Sequence, residues 1–213
     1  MSEGQFIVED GVVAGNAYDK YGTRNPVARA LMANFLKTFR SLVARAGGTE
    51  VHEVGCGEGQ LAIVLRDMGL RVRGSDFSRQ VLAEAERNAA AAGVDLPLKA
   101  ASLYDLTEGE DAAELIVCCE VLEHLENPDR ALDVLAELAR PYLVASVPRE
   151  PLWRVLNLAR GKYVTDLGNT PGHLNHWTKR GFVRFLRRRL DVLAVRSPLP
   201  WTMVLCRSRS FVR

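Results

Sequence analysis

Val51-His52-Glu53-Val54-Gly55-Cys56-Gly57-Glu58-Gly59 is the stretch whose reading decides the fold. Residues 51–54 read as a short strand, the three glycines as a tight turn, and residues 60–68 as the helix that leaves it. The turn carries no side-chain bulk, so a ligand can lie against the backbone itself. Dinucleotide-binding folds also place a glycine-rich turn between strand and helix, where the helix amides hold a pyrophosphate. Here the glycines alternate every second residue and carboxylates flank them at Glu53 and Glu58. Two acids would repel a pyrophosphate but suit a ligand with positive charge, such as a sulfonium beside an α-amino group. The same acids and spacing argue against a nicotinamide oxidoreductase. A cofactor-binding protein that has lost its chemistry stays open as a second alternative.

The next acid at a strand end is Asp76, in Gly74-Ser75-Asp76-Phe77-Ser78. A carboxylate there can accept from both hydroxyls of a ribose. With these two motifs the chain resembles the class I S-adenosylmethionine-dependent methyltransferases, strongly over residues 51–78 and 118–148. The resemblance implies a doubly wound, Rossmann-like sheet of seven strands with helices on both faces. It is mostly parallel, with a final antiparallel strand inserted between its neighbours near one edge. It also implies S-adenosylmethionine as cofactor. Glu53, Gly55, Cys56, Gly57 and Asp76 would then hold the donor, with Phe77 packing on the adenine edge. Ser102 would receive the adenine amino group beside Leu103, and Glu120 would border the methionine end. A lid segment is implied as well, with Tyr18 and Tyr21 capping the donor; two ordinary packing tyrosines are the alternative.

With 213 residues and 47% hydrophobic content, the chain suits one domain with a sizeable core. A single domain over 1–213 is expected, with residues 1–46 as lid and first helix. Residues 1–15 show little periodicity and predict no regular element. A net charge of +2 makes no global case for nucleic acid or a membrane surface. The late cations Arg184, Arg187, Arg188 and Arg189 read as a solvated helix face. Four cysteines without metal-like spacing predict free thiols in a reducing cytoplasm. No apolar run is long enough for a membrane span, and the N-terminus lacks a signal-peptide pattern.

Strand and helix alternate from the glycine turn onward, with strands at 71–75, 96–101, 114–118 and 142–147 and helices at 27–46, 80–92 and 127–139. The strand at 114–118 runs into Cys118-Cys119-Glu120-Val121-Leu122-Glu123-His124-Leu125. Glu120, Glu123 and His124 gather on the side of the crevice where methyl transfer would occur, and three readings stay open. They order the loop; or His124 acts as general base, since imidazole titrates near neutrality; or the two carboxylates and the imidazole bind a divalent metal, Mg2+ or similar, that acidifies the acceptor. The arrangement resembles that of ubiquinone-type O-methyltransferases and of the enzymes that methylate the terminal 2′-hydroxyl of small RNAs. In both, such a set binds metal; in the RNA enzymes a later histidine completes it, a place for which His173 and His176 are the candidates here.

Residues 149–177 leave the alternation. In this fold such an insertion builds the substrate wall, and loops on a rigid scaffold carry specificity. His173, His176 and Trp177 are candidates for acceptor contact or catalysis, and Trp153 and Trp177 for the walls of a small-molecule pocket; the alternative is that His176 and Trp177 only cap and pack the helix from Thr178 to Arg189. A small-molecule acceptor with an O or N nucleophile is favoured. The alternative is RNA 2′-O-methylation, which predicts a basic groove leading to 184–189.

Overall fold

The computed structural model describes residues 7–9, 12–14 and 23–211. Seven strands form one sheet: β3 (Glu50–Val54), β4 (Arg71–Asp76), β5 (Leu98–Ala100), β6 (Ala113–Cys119), β7 (Ala139–Pro148), β8 (Leu190–Arg196) and β9 (Trp201–Ser208). Their spatial order is β5-β4-β3-β6-β7-β9-β8. β9 runs antiparallel to both β7 and β8, while the pairs from β5 to β7 are parallel. This is the expected doubly wound sheet with one reversed strand.

Ahead of the sheet, β1 (Ile7–Glu9) and β2 (Val12–Ala14) pair antiparallel, Ile7 opposite Ala14. No element was expected there; two three-residue strands are too short to show a period. β5 is shorter than the sequence suggests because Pro97, which lacks an N–H, precedes it. Pro97 still accepts from the Gly74 N–H through its carbonyl, at 2.9 Å.

The helices end where their side chains direct. α1 (Pro26–Ala46) starts under the Asn25 side chain, which accepts from Val27 and Ala28, and stops at left-handed Gly47. Its face of Met32, Phe35, Phe39, Leu42, Val43 and Ala46 is buried at helical spacing. α2 (Gln60–Asp67) leaves the glycine turn, and α3 (Arg79–Ala91) is capped by Ser78. A short α4 (Glu108–Asp111) precedes β6. α5 (Pro128–Leu138) begins at Asn127 with a proline in its first turn, and α7 (Lys179–Leu186) begins at Thr178. Between them, α6 (Leu152–Ala159) belongs to the insertion.

α1 and α2 pack on one face of the sheet, burying Phe39 and Leu65 against Val51, Val117 and Leu205. α5 and α7 pack on the other, with Leu135 and Phe182 against Ile116, Leu143 and Val204. β6 lies inside with Leu115, Ile116, Val117 and Cys118 fully buried, as a central parallel strand requires. Each such side chain contributes about 1.5–3 kcal/mol. Strand order reverses beside β3, since β4 lies on one side and β6 on the other. A crevice therefore opens at the carboxyl ends of these strands, which is where such sheets bind ligands.

Candidate active site

The glycine turn lies at the end of β3 with Gly55, Gly57 and Gly59 at φ of 73°, 53° and 76°. L side chains resist these angles, so glycine is needed for the path of the chain. Gly55 and Cys56 donate their N–H groups to the Ser75 carbonyl at 2.7 and 3.0 Å, tying the turn to β4. The Gly57 N–H donates to Asp76 Oδ2 at 3.0 Å, and the Ser78 N–H to Oδ1 at 3.0 Å. Each carboxylate oxygen keeps a further lone pair for a ligand. Above Gly57 a Cβ would meet nothing within 4 Å, whereas at Gly55 it would come 2.4 Å from Val121 Cγ2. Gly55 thus seats the turn after β6, and Gly57 is the open floor of the crevice.

Glu53 is buried beneath this floor at 3% exposure. Its carboxylate accepts the Ala62 N–H in the first turn of α2, a helix whose own N-cap, Gly59, has no side chain to offer. Burial pushes its carboxyl well above the ordinary range, and the Asp76 charge adds to this. Glu53 Oε2 is buried with no hydrogen-bond partner among the described residues. Asp76 is raised too, chiefly by burial, with the Ser78 and Gly57 amides acting against it. Burial also raises the Cys56 thiol, helped by Glu53 and Asp76, so it stays a neutral packing group.

The adenine-side candidates are near this floor in sequence. Phe77 is half-buried next to Asp76, and Leu103 is 8% exposed. Ser102 caps the single turn Leu103–Asp105, its Oγ accepting from the Tyr104 N–H at 3.3 Å. Part of its accepting capacity is therefore spent on the backbone. Tyr18 and Tyr21 lie outside the described residues.

Across the crevice the chain turns sharply at Glu120, a non-glycine residue at φ 62°. Its carboxylate accepts from Ser146 Oγ at 2.9 Å and from Trp201 Nε1 at 2.7 Å. Trp201 packs edge-on to Phe35, ring centroids 5.0 Å apart, and beside Trp153 at 5.9 Å. Glu123, His124 and His173 come together instead, with one ligand atom from each within 4.8 Å of the others. The structure does not bring Glu120 into that group; Ser146 and Trp201 hold it aside.

His173 arrives from the insertion because that loop is stitched to the turn after β6. His124 Nδ1 donates to the Gly172 carbonyl at 2.9 Å, which in the neutral ring leaves the lone pair on Nε2. The Leu174 and Asn175 N–H groups both donate to the Glu123 carbonyl, at 2.8 and 3.0 Å. The Asn175 side chain donates to the Leu125 carbonyl at 2.6 Å and to that of Leu122 at 3.2 Å. The two imidazoles meet edge to face at 4.9 Å, and Trp153 lies 6.2 Å from His173.

The structure places two of the candidates apart from this cluster. His176 is exposed and bonds Asn169 Oδ1 through Nε2 at 2.7 Å, outside the cluster. Trp177 packs on Phe182 and Phe185 of α7, at 5.7 and 5.3 Å, so Trp153 alone of the two tryptophans stands by the histidines. The aromatic spacing Trp177, Phe182, Phe185 was the signal for helix packing. Asn175 and Trp201, which hold this side of the crevice together, were not singled out from the sequence. An amide between two histidines and a tryptophan in an aliphatic strand were their only marks.

Residues 51–142 match the family of the methyltransferase domain. That match covers under half of the chain, and the fold and glycine turn around it are similar to those of class I S-adenosylmethionine-dependent methyltransferases. The chain is similar to the ubiquinone biosynthesis O-methyltransferase of Coxiella burnetii (strain RSA 331 / Henzerling II), 27% identical over 154 residues, 65% of this chain and 65% of that protein. The match thus spans just under two thirds of that relative's length. Two solved structures share the fold. The magnesium protoporphyrin IX methyltransferase of Synechocystis PCC 6803, with bound SAH, is 22% identical over 88% of this chain and 89% of its own, TM-score 0.66. The N-methyltransferase NodS of Bradyrhizobium japonicum WM9, in complex with S-adenosyl-l-homocysteine, is 17% identical over 87% and 89%, TM-score 0.64.

Proposed function

We propose that this chain transfers a methyl group from S-adenosylmethionine to a hydroxyl of a small-molecule acceptor. One observation carries the reading: the open backbone of Gly57 and the carboxylate of Asp76 are joined by a hydrogen bond into one floor at the reversal of the sheet. Gly55, Cys56 and Gly57 present main chain to the donor, and Asp76 offers its remaining lone pairs to the ribose. Phe77, Ser102 and Leu103 border the adenine, Glu120 supplies negative potential towards the amino-acid end, and the buried Glu53 supports the turn from beneath through the Ala62 N–H. S-adenosylmethionine bound there supplies an electrophilic methyl whose leaving group is already activated by its positive charge.

The protein's remaining work is alignment and proton removal. His124 Nε2 takes the acceptor's hydroxyl proton as the oxygen attacks in line, while the Gly172 carbonyl holds the other nitrogen protonated. Trp153 and the insertion, residues 149–177, wall the acceptor side. The relative named for O-methylation favours oxygen over nitrogen, and a hydroxyl is the nucleophile that needs a base.

A second reading is favoured by the grouping of Glu123, His124 and His173. One carboxylate and two imidazoles fit a divalent transition ion better than Mg2+, which prefers oxygen. Such an ion would lower the pKa of the acceptor hydroxyl by Lewis-acid action.

Calorimetry with S-adenosylhomocysteine tests the donor site. Wild type should bind at micromolar concentration, and Asp76→Asn should bind about 10-fold or more weakly, the loss of one charge-assisted hydrogen bond. No uptake by folded wild type ends the proposal. His124→Asn should then retain S-adenosylhomocysteine binding and lose transfer to phenolic acceptors. Metal content after dialysis against Zn2+ or Mn2+, compared with His173→Ala, decides the second reading.

A further inference from the structure

Of the six cations on and just after α7, two are neutralised across the helix pair: Arg188 pairs with Asp129 and Arg189 with Asp133, both on α5. The other four are not. Lys179, Arg180, Arg184 and Arg187 make no ion pair with any described acid, and together with Val183 and Val195 they line a groove of about 420 Å³ between α7 and the edge strand β8. Arg180, Arg184 and Arg187 follow one another at i, i+4 and i+7, so like charges stack along one helix face, a spacing that destabilises a helix. No acidic residue occurs from 177 to 190 to relieve it.

We propose that this groove binds a diphosphate group. Three guanidinium forks suit phosphate oxygens by paired, charge-assisted hydrogen bonds, and an ammonium adds a mobile point charge. From Lys179 to Arg187 the helix rises about 12 Å, enough for two linked phosphates with cations on either side. Nucleic acid fits less well, because single strands are held by aromatic stacking and this groove is lined only by cations and two valines. A membrane surface fits less well too, since none of the exposed large apolar side chains lies on α7. Nucleoside, sugar and lipid diphosphates share the recognised chemistry. The inference stands without the methyl-transfer reading, because the groove includes no residue of the glycine turn or the histidine cluster.

Titration of the full chain with inorganic pyrophosphate tests it, followed by calorimetry at two salt concentrations. Pyrophosphate should bind, more weakly at higher salt, and Arg184→Glu should weaken it at least ~10-fold, the loss of a charged pair worth one decade in affinity. Arg45→Glu, on the exposed end of α1, should leave it unchanged, and both variants should melt as cooperatively as wild type. ADP and a lipid diphosphate in detergent then distinguish sources: tighter binding of one names the attached group. The proposal falls if pyrophosphate fails to bind at millimolar concentration or if Arg184→Glu binds it as wild type does. It falls equally if single-stranded RNA or vesicles rich in phosphatidylglycerol bind more tightly than any diphosphate.

Discussion

Gly57 and Glu53 sit four residues apart and do opposite things to the same crevice. Gly57 leaves space: an added methyl would touch no protein atom, so Gly57→Ala costs stability only through its left-handed backbone, about 1–2 kcal/mol. The methyl would instead occupy the volume offered to the donor. S-adenosylhomocysteine affinity should fall more than 10-fold by calorimetry while the variant still melts cooperatively, which separates binding from folding. Glu53 stores a proton. Because burial raises its carboxyl, the native chain holds a proton that the unfolded chain has already lost above about pH 4.3. The unfolded state then binds fewer protons, so stability falls as pH rises towards the native value, by up to about 1.4 kcal/mol per pH unit for one proton. Glu53→Gln keeps an acceptor for the Ala62 N–H and removes the proton. Melting temperatures from pH 5 to 8 should decline less in this variant than in wild type.

Among the elements, β9 and the insertion bring the acceptor side together. Trp201 opens β9 and hands its indole N–H to Glu120, eighty-one residues earlier. Trp201→Phe keeps a ring against Phe35 and Trp153 but withdraws that donor, so stability should drop by about 1 kcal/mol, or about 2–4 °C in melting temperature. S-adenosylhomocysteine binding should persist and the transfer rate should fall, because the glycine floor is untouched. This division explains what could be read beforehand. The donor side was legible because Gly55, Gly57 and Asp76 lie within 22 residues on consecutive strands, and a strand, a turn and a helix leave local periodic marks. The acceptor side depends on contacts such as His124 Nδ1 to the Gly172 carbonyl, 48 residues apart. Nothing in the run Gly172-His173-Leu174-Asn175-His176 tells which side chains a distant turn will meet. Asn175 docks and His176 does not, although both are polar residues of one loop.

Over the whole molecule, the two faces of the sheet hide every cysteine. Cys56, Cys118, Cys119 and Cys206 are buried free thiols, and burial pushes Cys206 up to about 12. Native protein should resist a thiol reagent at pH 8, then release four equivalents in guanidinium; rapid reaction of even one in the native state would contradict the packing. Charge is distributed less evenly than the net value of +2 suggests, since acids and bases cancel around α5 while α7 keeps its own. No described helix is long and apolar enough to cross a membrane.

The interior place of β9 carries a further consequence for how the chain reaches this state. β8 leaves the ribosome before β9, yet it can join the sheet only through β9, which separates it from β7. Until residues 201–208 emerge, β8 has no ladder to dock on, and β7 exposes a naked edge. A nonsense codon near residue 200 would therefore subtract an internal stave of the sheet, and the shortened product is expected to be lost to proteolysis.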